Sequence, residues 1–332
     1  MRNEGPFIVE WVAWYRMLGF TDVVVVTNNC SDHSPALLDA LAQAGWVQHL
    51  RHDVPAGQKI TRAKLAAAAD LKVVRRSNWL MICDVDEFLV IHRGAGKIGD
   101  LIDISTDVPP YLGMSLNWRV FGTSGLQAFE DAPVHRQFVY ALPQKAMLSR
   151  TVKSIFNQIK RFDLLTEHSP CRYDFAKSGK VWGDPGMAWV NCCGTHLTAW
   201  QPGTRHLHLM ERNRVSYKVA QINHYMLRSV ESFSLKLGTA APVALSNRYD
   251  PGYFRRADSG DQLDSTAFRY AEEFDAIQAQ AMALPGVARL HALCCADHIR
   301  AIVEKAGGRV EDDPRYAAFL EQAAQHASGG DI

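Results

Sequence analysis

The chain has 332 residues, 47% hydrophobic and 21% charged, a balance that suits a globular enzyme with one large core and an appendage. Lys plus Arg number 36 and Asp plus Glu 35, so the formal net charge of +1 excludes the strongly basic footprint of a nucleic-acid binder. Seven cysteines without a CxxC pair exclude a disulfide framework and a zinc ribbon, and no apolar run approaches the roughly 18 residues that span a bilayer. The first residues also lack the apolar centre of a signal peptide. A cytoplasmic protein is expected, with peripheral association at a membrane left open.

In chain order, Pro6 suits a first helical position, and Phe7, Trp11, Trp14 and Leu18 recur at helical spacing until Gly19. This predicts an amphipathic helix. Residues 23–26 read as a strand of β-branched residues, followed by the polar loop 27–32 and a helix through Leu37, Leu38 and Leu41. A strand over 46–50 and a helix over 60–74 come next. Residues 79–83 form a continuous apolar run, read as a strand covered on both faces that delivers Asp84 and Asp86 to one side and Val85 to the other. The alternation predicts an α/β fold, with a mostly parallel Rossmann-like sheet, helices on both faces and ligands at the carboxyl ends of the strands. A further strand is expected over 111–118, an irregular region over 122–198, helix over 219–237, and a helical tail from about residue 267.

Ionised aspartates at the end of a buried strand need compensation, and Mg²⁺ or Mn²⁺ supplies it while accepting substrate phosphate and water as further ligands. Asp84 and Asp86 are therefore the expected metal ligands. The two charges should repel one another in the metal-free protein, so Asp86→Asn should leave that state at least as stable. His224, between Asn223 and Tyr225, is a candidate third ligand or else a core histidine on a packed helix, with His168 and His196 as substitutes. Candidate bases are Asp184, in the loop 182–186, and Glu231; each also reads as an ordinary turn or helix-surface acid. Lys145 and Lys153 are candidate phosphate contacts.

Arg2-Asn3-Glu4-Gly5, Glu10-Trp11, TNNCSD (27–32), DVDEF (84–88) and INHYMLRSVESF (222–233) together give the chain a resemblance to bacterial relatives of glycosyltransferase families 2 and 92. The resemblance spans roughly residues 2–264. It implies a GT-A fold with a DxD motif, a nucleotide-sugar donor, a divalent metal at Asp84 and Asp86, and donor contacts from Asn3, Glu4 and the loop containing Asp32. Such families usually carry a strand before the Asn-Glu segment, so an upstream strand is expected to complete the nucleotide pocket. Asn29 stands where they usually have an acid, and His168-Ser169-Pro170 where they usually have His-Arg-Pro, so the base or ribose contact and the phosphate contact are altered.

These readings predict a GT-A domain over residues 1–240, with a nucleotide-sugar half to about 100 and an acceptor half from about 101, then a helical extension over 241–332. The expected activity is metal-dependent transfer of a hexosyl group from a nucleotide sugar to a hydroxyl on a glycan or lipid-linked acceptor, in surface or extracellular glycan synthesis. The same acid pair suits a nucleotidyltransferase or phosphohydrolase, and a carbohydrate- or nucleotide-binding protein without turnover is a third reading.

Overall fold

The computed structural model describes residues 1–103, 110–198, 200, 201, 203, 205–239 and 249–328. The expected boundary between residues 240 and 241 lies outside them. The chain runs through α1 (Ile8–Met17), β1 (Val24–Thr27), α2 (Ser34–Gln43), β2 (Gln48–Arg51), α3 (Ile60–Ala69), α4 (Lys72–Arg76) and β3 (Trp79–Met81). It continues with β4 (Glu87–Ile91), α5 (Ile98–Ile102), β5 (Tyr111–Val120), α6 (Val134–Gln137), β6 (Tyr140–Ala141), β7 (Val152–Asn157), β8 (Phe162–Leu164), β9 (Cys171–Tyr173), α7 (Phe175–Ser178) and β10 (Ala188–Asn191). The last elements are β11 (Ala220–His224), α8 (Val230–Ser234), α9 (Pro251–Ala257), β12 (Gln262–Leu263), α10 (Ala271–Met282), α11 (Val287–Lys305) and α12 (Pro314–Ser328).

The central sheet has the order β3-β7-β5-β11-β4, with β10 also beside β5. Its β3/β7, β7/β5 and β11/β4 pairs are antiparallel, and only β5/β11 and β5/β10 are parallel. The fold is thus α/β as expected, but the sheet is mixed where a mostly parallel one was expected. Two segments account for the difference. β7 lies inside the region read as irregular, because Lys153 and Ser154 interrupt its apolar pattern, yet it pairs along both edges. β11 lies inside the segment read as helix. Pairing with β4 and β5 fixes an extended chain there, and the side-chain amides buried in it are bonded locally: Gln221 Nε2 donates to Asn223 Oδ1 at 2.7 Å and Asn223 Nδ2 to Tyr225 Oη at 3.0 Å. Tertiary pairing has overridden the helical reading of 219–237.

The acid-bearing segment also differs from its expected form. β3 is three residues long and only half-buried, and the strand covered on both faces is β4, on the far side of the acids. Asp84, Val85 and Asp86 form the turn between them, closed by Glu87 N donating to Asp84 O at 3.1 Å. Helix α1 holds this turn in place. Trp11, Trp14 and Tyr15 lie on one face of the helix and donate to the backbone oxygens of Asp84 (3.0 Å), Leu89 (2.9 Å) and Glu87 (3.1 Å). The aromatic spacing that marks α1 in the sequence therefore positions the acid turn as well as filling the core.

One hydrophobic cluster joins α1, β4 and β11 to Phe274 of α10 and Val287, Cys294 and Ile299 of α11. Gly5 lets the chain before α1 lie against α11, since a Cβ there would sit 2.4 Å from that of Cys294. Among the described residues, no helix is long and apolar enough to cross a membrane.

Candidate active site

Asp84 and Asp86 leave their turn in different directions and meet different cations. Asp84, 66% exposed, has its Oδ2 2.9 Å from Lys153 Nζ. Lys153 reaches it from β7, is itself buried, and also lies 3.0 Å from Oε2 of the buried Glu87. Glu87 Oε2 additionally accepts from Asp84 N at 2.9 Å, while its Oε1 is buried without a partner among the described residues. Asp86, only 12% exposed, places Oδ2 3.2 Å from Lys236 Nζ and Oδ1 3.5 Å from His224 Nε2.

The charges set the protonation states. Partial dehydration in this recess works against ionisation of Asp84, but Lys153 outweighs it and the carboxyl is held below the usual range. Burial works the same way on Asp86, and Lys236, His224 and Arg228 together hold it well below the usual range. Glu87 goes the other way: burial pushes it up to about 8 against the pull of Lys153. Burial lowers His224 in spite of Asp86, which keeps the imidazole neutral. Each aspartate has its own counter-cation, so mutual repulsion does not govern the metal-free site. Removing Asp86 would strand Lys236, and the expectation that Asp86→Asn holds or raises stability is corrected accordingly.

The donor set suits a divalent metal. The two lysines occupy Oδ2 of each aspartate and leave Asp84 Oδ1, Asp86 Oδ1 and the neutral His224 imidazole, whose Nδ1 has no partner among the described residues. In the conformation described, these three side chains do not all bring ligand atoms within 4.8 Å of one another, so the set is open on the Asp84 side.

Three residues that sequence reasoning left unassigned belong to this cleft. Arg228, 4% exposed, stands in the quoted 222–233 motif; its Nη1 donates to Glu4 Oε2 at 2.7 Å, its guanidinium lies 3.4 Å from the Phe7 ring centroid, and its Nε and Nη2 have no partner among the described residues. Lys236 gave no signal beyond its charge. Trp118 packs on His224 at 4.1 Å between ring centroids and on His168 at 5.8 Å.

The remaining candidates divide. Glu4 joins the cleft through Arg228, and Lys153 joins it as a buried counter-ion instead of a free phosphate contact. Asn3 pairs with Ser31 at 2.9 Å, and Asn29, at φ 45°, accepts from Val54 N at 3.1 Å, so both shape the loop after β1. Asp32 accepts from Ser34 N at 3.1 Å and Oγ at 2.6 Å, at the start of α2. His168 Nδ1 lies 2.9 Å from Val152 O, and burial with nearby Lys153 pushes its pKa down to about 2. His196 Nε2 is buried without a partner among the described residues. Lys145 is exposed with no partner among the described residues.

Neither candidate base reaches the acids. Asp184 Oδ2 accepts from Val181 N at 2.9 Å within its own turn. Glu231 accepts from Phe129 N at 2.7 Å and from Arg315 at 2.8 and 3.1 Å, and although burial opposes it, Arg315 holds the carboxyl below its usual range. Both Glu231 oxygens are thus engaged and the carboxyl is less basic than usual, the setting of a clamp between Phe129 and Arg315.

The arrangement is that of an α/β protein whose paired carboxylates lie on the turn joining the two edge strands of the central sheet, against side chains of β7 and β11. Residues 3–238 match the family described as Glycosyltransferase family 92, and the chain belongs to that family. Two curated relatives from Ricinus communis, both described as glycosyltransferase family 92 proteins, are 25% identical over 127 residues and 28% identical over 131. These stretches cover 38% and 37% of this chain and 22% of each relative, so the chain spans under a quarter of the length of the relatives it matches.

Proposed function

We propose that this chain is a metal-dependent glycosyltransferase that takes a nucleotide-sugar donor and transfers a hexosyl group to a hydroxyl of a glycan or lipid-linked acceptor, in the cytoplasm or at the cytoplasmic face of a membrane, toward surface or extracellular glycans. The observation that carries this reading is the set Asp84, Asp86 and His224, two ionised carboxylates and a neutral imidazole beside Lys236 and Arg228. Asp84, Asp86 and His224 would hold Mn²⁺ or Mg²⁺. When bound, such an ion supplies positive charge that stabilises a departing nucleoside diphosphate.

The chain's own residues do the rest. Lys236, bonded to Asp86 and to Met226 O at 2.9 Å, is fixed where it can meet a phosphate oxygen without first being ordered. Arg228, buried and held by Glu4 and Phe7, adds positive charge beside Asp86. Lys153 keeps Asp84 ionised from behind, and Trp118 fixes the ring plane of His224.

A panel of nucleotide sugars, with and without Mn²⁺, scored for nucleoside diphosphate release tests the reading. Mn²⁺-dependent release of intact nucleoside diphosphate from one donor is expected. Pyrophosphate release from nucleoside triphosphates would make the chain a nucleotidyltransferase, and Mn²⁺-dependent binding without turnover would make it a binding protein.

A further inference from the structure

A second constellation of ligand-type side chains lies away from the acid turn. His291 and Cys295 are four residues apart on α11 and so share one helix face, and Asp131 meets them from the loop between β5 and α6. His291 Nε2 is 3.0 Å from both Asp131 carboxylate oxygens and 3.7 Å from Cys295 Sγ. Among the described residues, this is the one group of three such side chains whose ligand atoms all lie within 4.8 Å of one another. His291 and Cys295 are buried, and the Asp131 side chain is 36% exposed, so the group closes on the protein side and opens toward water through the carboxylate.

We propose that Asp131, His291 and Cys295 form a metal site for a borderline-soft divalent cation of the zinc class, with water as the fourth ligand, pinning α11 to the loop that precedes α6. The spacing supports it: tetrahedral bonds of about 2.0 Å to nitrogen and oxygen and 2.3 Å to sulfur put neighbouring ligand atoms about 3.3–3.6 Å apart, within a few tenths of an ångström of the distances observed. The donor set selects the metal. Thiolate and imidazole favour zinc-class ions over Mg²⁺, whereas the acid turn offers two hard carboxylates and would take Mn²⁺ or Mg²⁺. Binding replaces the thiol proton of Cys295 with the cation and releases that proton to solvent, so no oxidant or reductant is involved. The site's position gives it a mechanical role. The same loop is already tied to α12 by Arg315 Nη1 donating to Phe129 O at 3.3 Å, and the start of α6 that follows it to α1 by Glu10, whose Oε1 accepts from Val134 N at 2.9 Å.

Cobalt titration of the full chain tests the site, because a thiolate bound to Co²⁺ absorbs in the near ultraviolet and an all-oxygen site does not. One equivalent of Co²⁺ should give that band, Zn²⁺ should abolish it and excess Mg²⁺ should not. The band should survive in Asp86→Asn and in Cys193→Ser and disappear in Cys295→Ser. Asp131→Asn, at the solvent-facing position, should weaken Co²⁺ binding at least about tenfold without unfolding the chain. No band in the wild type, or a band of unchanged affinity in Asp131→Asn or Cys295→Ser, overturns the proposal. Because the readout needs neither nucleotide nor turnover, failure here and failure of the glycosyltransferase reading are distinguishable.

Discussion

The acid turn and the Asp131 cluster both gather ligand-type side chains, and they manage charge in opposite ways. At the turn, two aspartates are each neutralised by a lysine drawn from another part of the chain, Lys153 from β7 and Lys236 from beyond α8. At Asp131 the neighbours are His291 and Cys295, groups that can both be neutral, and burial together with Asp131 keeps the Cys295 thiol protonated. The first site is held ionised; the second must lose the Cys295 proton before its thiolate can bind a metal. The difference teaches that a cluster's function follows from its counter-ions as much as from its ligands.

The largest effect should come from removing a counter-ion at the first site. Lys153→Met leaves the exposed Asp84 carboxylate to solvent and takes a contact from the buried Glu87, whose Oε1 already lacks a partner among the described residues, and leaving a buried polar group unsatisfied costs about 1–3 kcal/mol. Denaturant unfolding at neutral pH should show a loss of that order; a loss below about 1 kcal/mol would mean that the lysine is not balancing the turn.

Much of this was legible in the sequence, and the part that was not has a physical cause. Trp11 and Trp14 announced α1, and the acids of DVDEF stood out as a candidate site, because helical spacing and a carboxylate beside apolar residues are local signals. Lys153 and Lys236 could not be paired with Asp84 and Asp86 by reading along the chain, since those contacts join residues 69 and 150 positions apart. β11 was hidden for the same reason: its extended form is dictated by β4 and β5, and the local composition alone suggested helix. Glu231 looked like a base in a motif, and only Arg315, which reaches it from the helical end of the chain, shows that its oxygens are already used.

A second, smaller effect separates the C-terminal contact from the acid turn by pH. Burial, reinforced by Arg228 and Arg315, pushes His298 down to about 3, so it is neutral in the fold, where it sits against Ser232, Phe7 and Phe129. A lowered folded value means that the unfolded chain takes up the proton first. Its stabilisation is therefore complete above the ordinary value near 6.5 and is lost as pH falls toward 3. Glu87, raised to about 8, has the opposite sign, stabilising fully below its ordinary value near 4.5 and losing that contribution as pH rises through 8. The wild-type slope is thus a net of opposed terms, and a difference isolates one of them. His298→Gln should reduce the rise in stability between pH 5 and 6.5 by about 1.4 kcal/mol per pH unit relative to the wild type. An identical slope in the two proteins would place a charged histidine in the fold.

The smallest effect sharpens the distinction between clamp and catalyst. Glu231→Gln weakens a pair that is 30% exposed on both sides, so unfolding free energy should fall by only about 1 kcal/mol. Mn²⁺-dependent nucleotide binding should not change. If binding or turnover collapses while stability holds, Glu231 returns to the chemistry.

The central claim is that the acid turn is a metal and nucleoside diphosphate site whose acids are already balanced in the metal-free protein. Calorimetric titration of nucleoside diphosphate with and without Mn²⁺, run beside metal-free melting on the wild type and Asp86→Asn, tests both halves together. The account predicts that Asp86→Asn loses Mn²⁺-dependent affinity by about a hundredfold or more and melts below the wild type without metal, because Lys236 has lost its partner. A mutant that keeps the full Mn²⁺-dependent affinity, or that melts above the wild type without metal, would contradict it.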